Sequence, residues 1–182
     1  VHGIEAYTTN ASTPFSDAMA IKAVKTVFKW LPLSVNGDET AREQIHYAAT
    51  MAGIAFLNAR LGICHSLSHK AAWIAPHGLL NAIFLPYVVE FNMKSDYARR
   101  KYKEIAREIG FNTPEELVEV IKEFNEMLGV PKLSELVDEE VFMARLDEMA
   151  KKAHADPLVN FNPVEPSVEE IKELYKKAYY AE

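Results

Sequence analysis

The sequence predicts an all-α fold, a helical bundle-like domain, and three observations carry that prediction. Apolar residues recur at spacings of three and four almost throughout, strand-like alternation never persists, and helix-opening signals are answered by glycine or proline stops.

The first predicted helix opens at Thr13-Pro14, where proline suits the first helical position. It carries Ile21, Val24, Phe28 and Leu31 on one face until Pro32 stops it. Asn36-Gly37-Asp38 reads as a turn and cap that opens a long helix through Ile45, Ala49, Ala52 and Phe56, ending at Gly62. From Ile63 to Phe91 apolar residues occupy every side, as in a segment buried inside a domain. Tyr102, Ile105, Ala106 and Ile109 mark an amphipathic helix closed by Gly110. Thr113-Pro114-Glu115-Glu116 is a capping box, and the helix it opens has Leu117, Ile121, Phe124 and Leu128 as its inner stripe and Gly129 as its end. Two more helices follow, one from about Asp138 to Ala153 and one from Ser167, whose side chain is in register with Glu170. Pro157, Pro163 and Pro166 predict an extended connection between them.

Neither a repeat nor a composition shift divides the chain, so residues 1–182 read as a single helical domain. With 182 residues at 49% hydrophobic content, it can bury one substantial core. The net charge of -6 comes from acidic and basic residues interspersed along helices, which leaves no cationic surface to gather nucleic acid or anionic lipid. The most apolar stretch, Ala71 to Phe91, is broken by Pro76, His77, Gly78, Asn81 and Pro86. A membrane span needs ~20 mostly unbroken apolar residues, so this stretch predicts a buried core helix and no membrane partner. Cys64 is the only cysteine, which excludes an intramolecular disulfide and fits a reducing, cytoplasmic setting. A start at Val1-His2-Gly3, without methionine, reads as a fragment. The glycines form no Gly-x-Gly pair, so neither a dinucleotide fingerprint nor a phosphate-binding loop is expected here.

Of six histidines, three (His65, His69 and His77) fall within thirteen positions of the most apolar region. A helix over residues 63–73 would put His65 and His69 one turn apart on one face, ~6 Å along the axis. Pro76 and Gly78 flank His77 at a predicted helix start, where the positive end of the helix dipole favours a neutral ring with a free lone pair. His2 is remote in sequence but free to reach the same cavity. Packing histidines and metal ligands both satisfy this spacing, and the sequence alone leaves the two open. His46 and His154 sit among polar neighbours and are expected at the surface. Glu43-x-x-His46 matches one arm of a di-iron bundle site, but no second copy exists. Cys64 would point about 100° around the helix from His65 into apolar surroundings, as a structural thiol does. Trp73, Phe56 and the Met51 region are expected in the core or in a pocket wall.

At these residues the sequence resembles the iron-containing (group III) alcohol dehydrogenases, which pair an N-terminal dinucleotide-binding domain with a C-terminal helical metal domain. The resemblance rests on His2-Gly3-Ile4-Glu5-Ala6-Tyr7 followed by Ser16-Asp17-Ala18, and on the run Tyr47 to Phe56 with Asn58 and Leu61-Gly62. The His65/His69 pair, Pro76-His77-Gly78-Leu79-Leu80-Asn81-Ala82 and Leu85-Pro86 complete it. Residues 1 to about 93 carry it strongly, and the remainder agrees in helical character and length.

The resemblance implies a metal held by one aspartate and three histidines. The histidines carry over to His2, His65 and His77, and the aspartate would lie four residues before His2, ahead of Val1. It implies that His69 faces nicotinamide and substrate, as a catalytic and cofactor-contacting residue in a proton relay, and that Phe56 lines the substrate pocket. Fewer residues separate His69 from His77 than in many relatives, so the loop that positions His77 must be tighter. Three neutral nitrogens and a carboxylate would leave an open position on Fe(II) or Zn(II) for an alcohol oxygen. The metal would then act as a Lewis acid while hydride passes from a primary alcohol to NAD or NADP, or back to an aldehyde.

The implied partners are a small alcohol or aldehyde and an N-terminal nucleotide-binding domain absent from these residues, with a homo-oligomer left open. Alone, the chain is expected to be inactive. The alternative expectation is a non-catalytic helical metal-binding or assembly domain, inactive without its partner domain. Glycerol dehydrogenase and dehydroquinate synthase share the architecture, but the residues from His65 to Asn81 look closer to primary-alcohol enzymes.

Overall fold

The computed structural model describes residues 1–181, in chain order α1 (His2–Thr8), α2 (Pro14–Val35), α3 (Glu39–Ala59), α4 (Ile63–Lys70), α5 (His77–Asn92), α6 (Asp96–Glu108), α7 (Pro114–Met127), α8 (Glu139–His154) and α9 (Val168–Tyr180). Short 3-10 turns occupy Leu133–Glu135 and Pro157–Phe161, and no strand is present among the described residues. The fold is all-α, as the sequence predicts.

Local signals explain most helix starts. Thr13 and Ser16 form a reciprocal cap on α2, with Pro14 in its first turn. Asp38 accepts from the Ala41 amide at 2.7 Å to open α3. Thr113 with Glu116 and Ser167 with Glu170 close the predicted boxes on α7 and α9.

Several boundaries differ from the sequence reading, each for a physical reason. Pro32 does not stop α2; it sits inside the last turn, where it removes only one backbone donor, and the helix runs on to Val35. Gly62 does not end α3; that helix ends at Ala59, with Arg60 in the left-handed region at φ 69°, and Gly62 instead caps α4. The chain bends by 105° between α3 and α4. The stretch from Ala71 to Phe91 is not one core helix: α4 stops at Lys70, residues 71–75 turn, and a new helix starts at His77. Ala75, preceding Pro76, is disfavoured in a helical conformation. Because of that turn Trp73 is not in the core; it is 38% exposed, lying on α8 with its Nε1 near Met149 Sδ and the Arg145 guanidinium over its ring. The proline-rich connection is not extended at its start, since Pro157 opens a 3-10 turn that Asp156 caps.

α5 is the central element. Leu80, Phe84, Val88 and Val89 are buried within it, packed among Leu67 of α4, Leu117 and Ile121 of α7, Phe142 of α8 and Tyr175 of α9. Among the described residues no single helix is long and apolar enough to cross a membrane. α1, too short to show a period in sequence, packs onto α2 and α3. A Cβ on its Gly3 would meet Val24 Cγ2 at 2.9 Å and the Ala20 carbonyl at 3.0 Å, so only glycine permits this approach. The crossing carries His2 and Glu5 to α4.

Candidate metal centre

α4 begins without a side-chain cap of its own, and two residues from elsewhere supply acceptors for its unpaired first-turn amides. Asn162 Oδ1 accepts from Ile63 N at 3.3 Å, and Glu5 Oε1 accepts from Cys64 N at 2.8 Å. A carboxylate there also suits the helix dipole. A Cβ on Gly62 would lie 2.6 Å from Asn162 Oδ1 and 2.9 Å from Glu5 Oε1, so glycine is required to let both acceptors in. The second Glu5 oxygen, Oε2, pairs with His65 Nδ1. Both side chains are buried.

The 71–75 turn then folds α5 back against α4 and brings His77 beside His65, their ring centroids 5.1 Å apart. His2 arrives from α1, stacked between His65 at 4.6 Å and Phe56 at 4.7 Å. One ligand nitrogen from each of His2, His65 and His77 lies within 4.8 Å of the other two. The three residues singled out in sequence as ligands therefore converge, from α1, α4 and α5.

The tautomers follow from the surrounding bonds. Ser68 Oγ donates to the His65 carbonyl at 3.1 Å, which leaves its lone pair to accept from His77 Nδ1 at 3.2 Å. With Nδ1 protonated on both His65 and His77, both Nε2 atoms carry lone pairs, and the Asn81 amide nitrogen faces them at 3.2 and 3.0 Å. Burial, and then the neighbouring His65, push the pKa of His2 down to about 4. Burial first, followed by adjacent histidines, also lowers those of His69 and His77. Neutral imidazoles grouped this closely fit a borderline divalent cation.

His69 stands apart from this group. Its side chain is 44% exposed, its ring stacks on His77 at 5.0 Å, and its Nδ1 is 3.9 Å from Asp156 Oδ2. Cys64 is fully buried, with Sγ 3.4 Å from the Asn81 carbonyl, and burial raises its pKa well above the usual thiol range. It is a structural thiol. His46 is exposed on α3 and His154 half-buried at the end of α8.

Residues 1–179 match the family described as the Fe-containing alcohol dehydrogenase family, C-terminal. The chain belongs to this family. It is 81% identical over 180 residues to an alcohol dehydrogenase from Thermococcus barophilus, covering 99% of this chain and 48% of that protein. It is 41% identical to an NADPH-dependent butanol dehydrogenase from Clostridium saccharobutylicum, covering 98% of this chain and 48% of that protein. The solved structure of an iron-containing alcohol dehydrogenase from Thermococcus thioreducens aligns with a TM-score of 0.99 at 73% identity, over 100% of this chain and 48% of that one. The chain thus spans about half the length of these relatives. Membership in the iron-containing family makes iron the reference metal for the histidine cluster.

Sequence reasoning found the histidines but missed Glu5, Ser68 and Asn81 as parts of the site. Glu5 and Asn81 each leave a trace in sequence, as a polar residue between apolar neighbours, and Ser68 leaves none.

Proposed function

We propose that this chain is the metal-binding part of an NAD(P)-linked alcohol dehydrogenase acting on primary alcohols and aldehydes, with His2, His65 and His77 as metal ligands. The observation that carries the proposal is the convergence of three imidazole nitrogens from α1, α4 and α5. When bound, iron or zinc supplies Lewis acidity to the substrate oxygen, and NAD or NADP accepts or returns hydride.

The chain's own residues do the rest. Ser68 directs the lone pair of His77 inward. Phe56 covers the far face of His2 and forms an apolar wall on the substrate side. His69, exposed beside His77 and close to Asp156, is placed to pass a proton between the buried cluster and solvent and to meet the nicotinamide. A nucleotide-binding domain and an aspartate ligand ahead of Val1 complete the reading, because the family's full-length relatives are about twice as long. The single buried cysteine agrees with a cytoplasmic setting.

The test is turnover by the full-length protein after His65→Ala or His77→Ala. Each substitution is expected to abolish metal-supported alcohol oxidation, and wild-type activity in either variant overturns the proposal. The 182 residues by themselves are expected to show no NAD(P)-linked turnover.

A further inference from the structure

Glu5 is a buried acid that the chemistry above does not consume. It reaches α4 from α1, 60 positions before His65 in the sequence. Its two oxygens have separate partners: Oε1 accepts from Cys64 N at 2.8 Å, and Oε2 pairs with His65 Nδ1. The Cys64 bond anchors the carboxyl group to the α4 backbone, so Oε2 cannot swing away without exposing that amide. A Cβ on Gly62 would lie 2.9 Å from Glu5 Oε1, which shows how closely the neighbouring backbone is packed on it.

We infer that Glu5 is the positioning residue of the site, fixing the Nδ1–H tautomer and ring orientation of His65 so that Nε2 presents its lone pair to the space shared with His2 and His77. The inference rests on the metal reading above. Its physical basis is that imidazole carries one proton when neutral, so whichever nitrogen donates to an outer partner leaves the other free to bind metal. A carboxylate can only accept, and it therefore enforces one tautomer. A carboxamide can present its NH2 group instead, while its oxygen keeps the Cys64 bond, and His65 Nδ1 must then become the acceptor. The metal-facing lone pair is lost through a change of one atom. Ser68 plays the same part for His77 but donates as well as accepts, so it constrains the ring less.

The experiment uses the full-length protein with Co(II) as the probe, following its ligand-field absorption, together with nitrogen NMR of 15N-histidine-labelled, metal-free protein. Glu5→Gln is expected to bind Co(II) about 10- to 100-fold more weakly and to shift His65 to the Nε2–H tautomer. Glu5→Asp, which keeps the charge, is expected to retain Nδ1–H and recover part of the affinity. A folded Glu5→Gln variant with unchanged affinity and tautomer overturns the inference. If that variant does not fold, the wild-type spectrum decides: His65 protonated at Nε2 overturns the inference, and protonation at Nδ1 supports it. A wild type that takes up no Co(II) refutes the metal reading separately, and the tautomer comparison still decides the role of Glu5.

Discussion

The ring of Phe56 lies flat against that of His2, with centroids 4.7 Å apart and 20° between the planes. It closes the side of His2 away from His65, so the contact sets how far that imidazole can turn. Aromatic pairs contribute about 0.5–1.5 kcal/mol beyond their area. Phe56→Leu, which keeps an apolar wall but not the stack, is therefore expected to lower metal affinity roughly two- to tenfold. A competitive Co(II) titration of the full-length protein measures this, and unchanged affinity contradicts the role given to the stack.

Gly62→Ala tests the packing where Asn162 and Glu5 meet the start of α4. The added Cβ falls 2.6 Å from Asn162 Oδ1, and Asn162 is held by bonds to Asn92 and the Val164 carbonyl. Neither acceptor can retreat freely, so overpacking is expected to cost about 1–3 kcal/mol. The denaturant midpoint should fall with an unchanged slope.

Two of the buried hydrogen bonds that tie distant elements to α4, those of Asn162 and Tyr175, should differ in weight. Asn162→Ala orphans the Ile63 amide and Asn92 Oδ1, for an expected loss of about 1–3 kcal/mol. Tyr175→Phe removes a 2.8 Å bond to the Leu67 carbonyl, but the Ala71 amide still donates to that oxygen at 3.1 Å. The loss should be smaller, about 1 kcal/mol. Parallel urea unfolding of the two variants gives the order, and a larger effect at Tyr175 contradicts it.

Acid should weaken the C-terminal helix. The Lys94 ammonium, and then the Ser167 amide, hold the pKa of Glu170 down at about 2, below its usual 4.5. A carboxylate depressed in the folded state contributes stability that is complete above the unfolded pKa and is lost as pH falls through the folded one. The contribution of Glu170 should therefore fade between pH 4.5 and about 2. Thermal melts across that window should show a shallower decline in Glu170→Gln than in the wild type, and parallel curves would contradict the assignment.

Patterns that depend on neighbouring residues were legible in the sequence. Thr113 with Glu116 and Ser167 with Glu170 announced their helices because cap and partner lie three residues apart. His65 and His77 drew attention because they cluster in an apolar stretch. Long-range packing was not legible. α1 spans only seven residues, too few to establish a period, and its placement depends on the space left at Gly3. Gly62 reads as a stop in sequence because glycine commonly ends helices, whereas its role here is to admit Glu5 and Asn162, which lie far away in the chain. Trp73 reads in sequence as core or pocket wall but falls on the turn that brings His77 back to His65. Glu5 stood out only as one acid in the run from His2 to Tyr7, since its burial is created wholly by tertiary contacts.

The claim on which the rest depends is that His2, His65 and His77 hold one cation among them. Anomalous X-ray scattering from crystals of the metal-loaded, full-length protein tests it most directly. The expected result is a single strong peak about 2.0–2.2 Å from one ring nitrogen of each of the three histidines. A peak elsewhere, or one that touches fewer than all three rings, contradicts it.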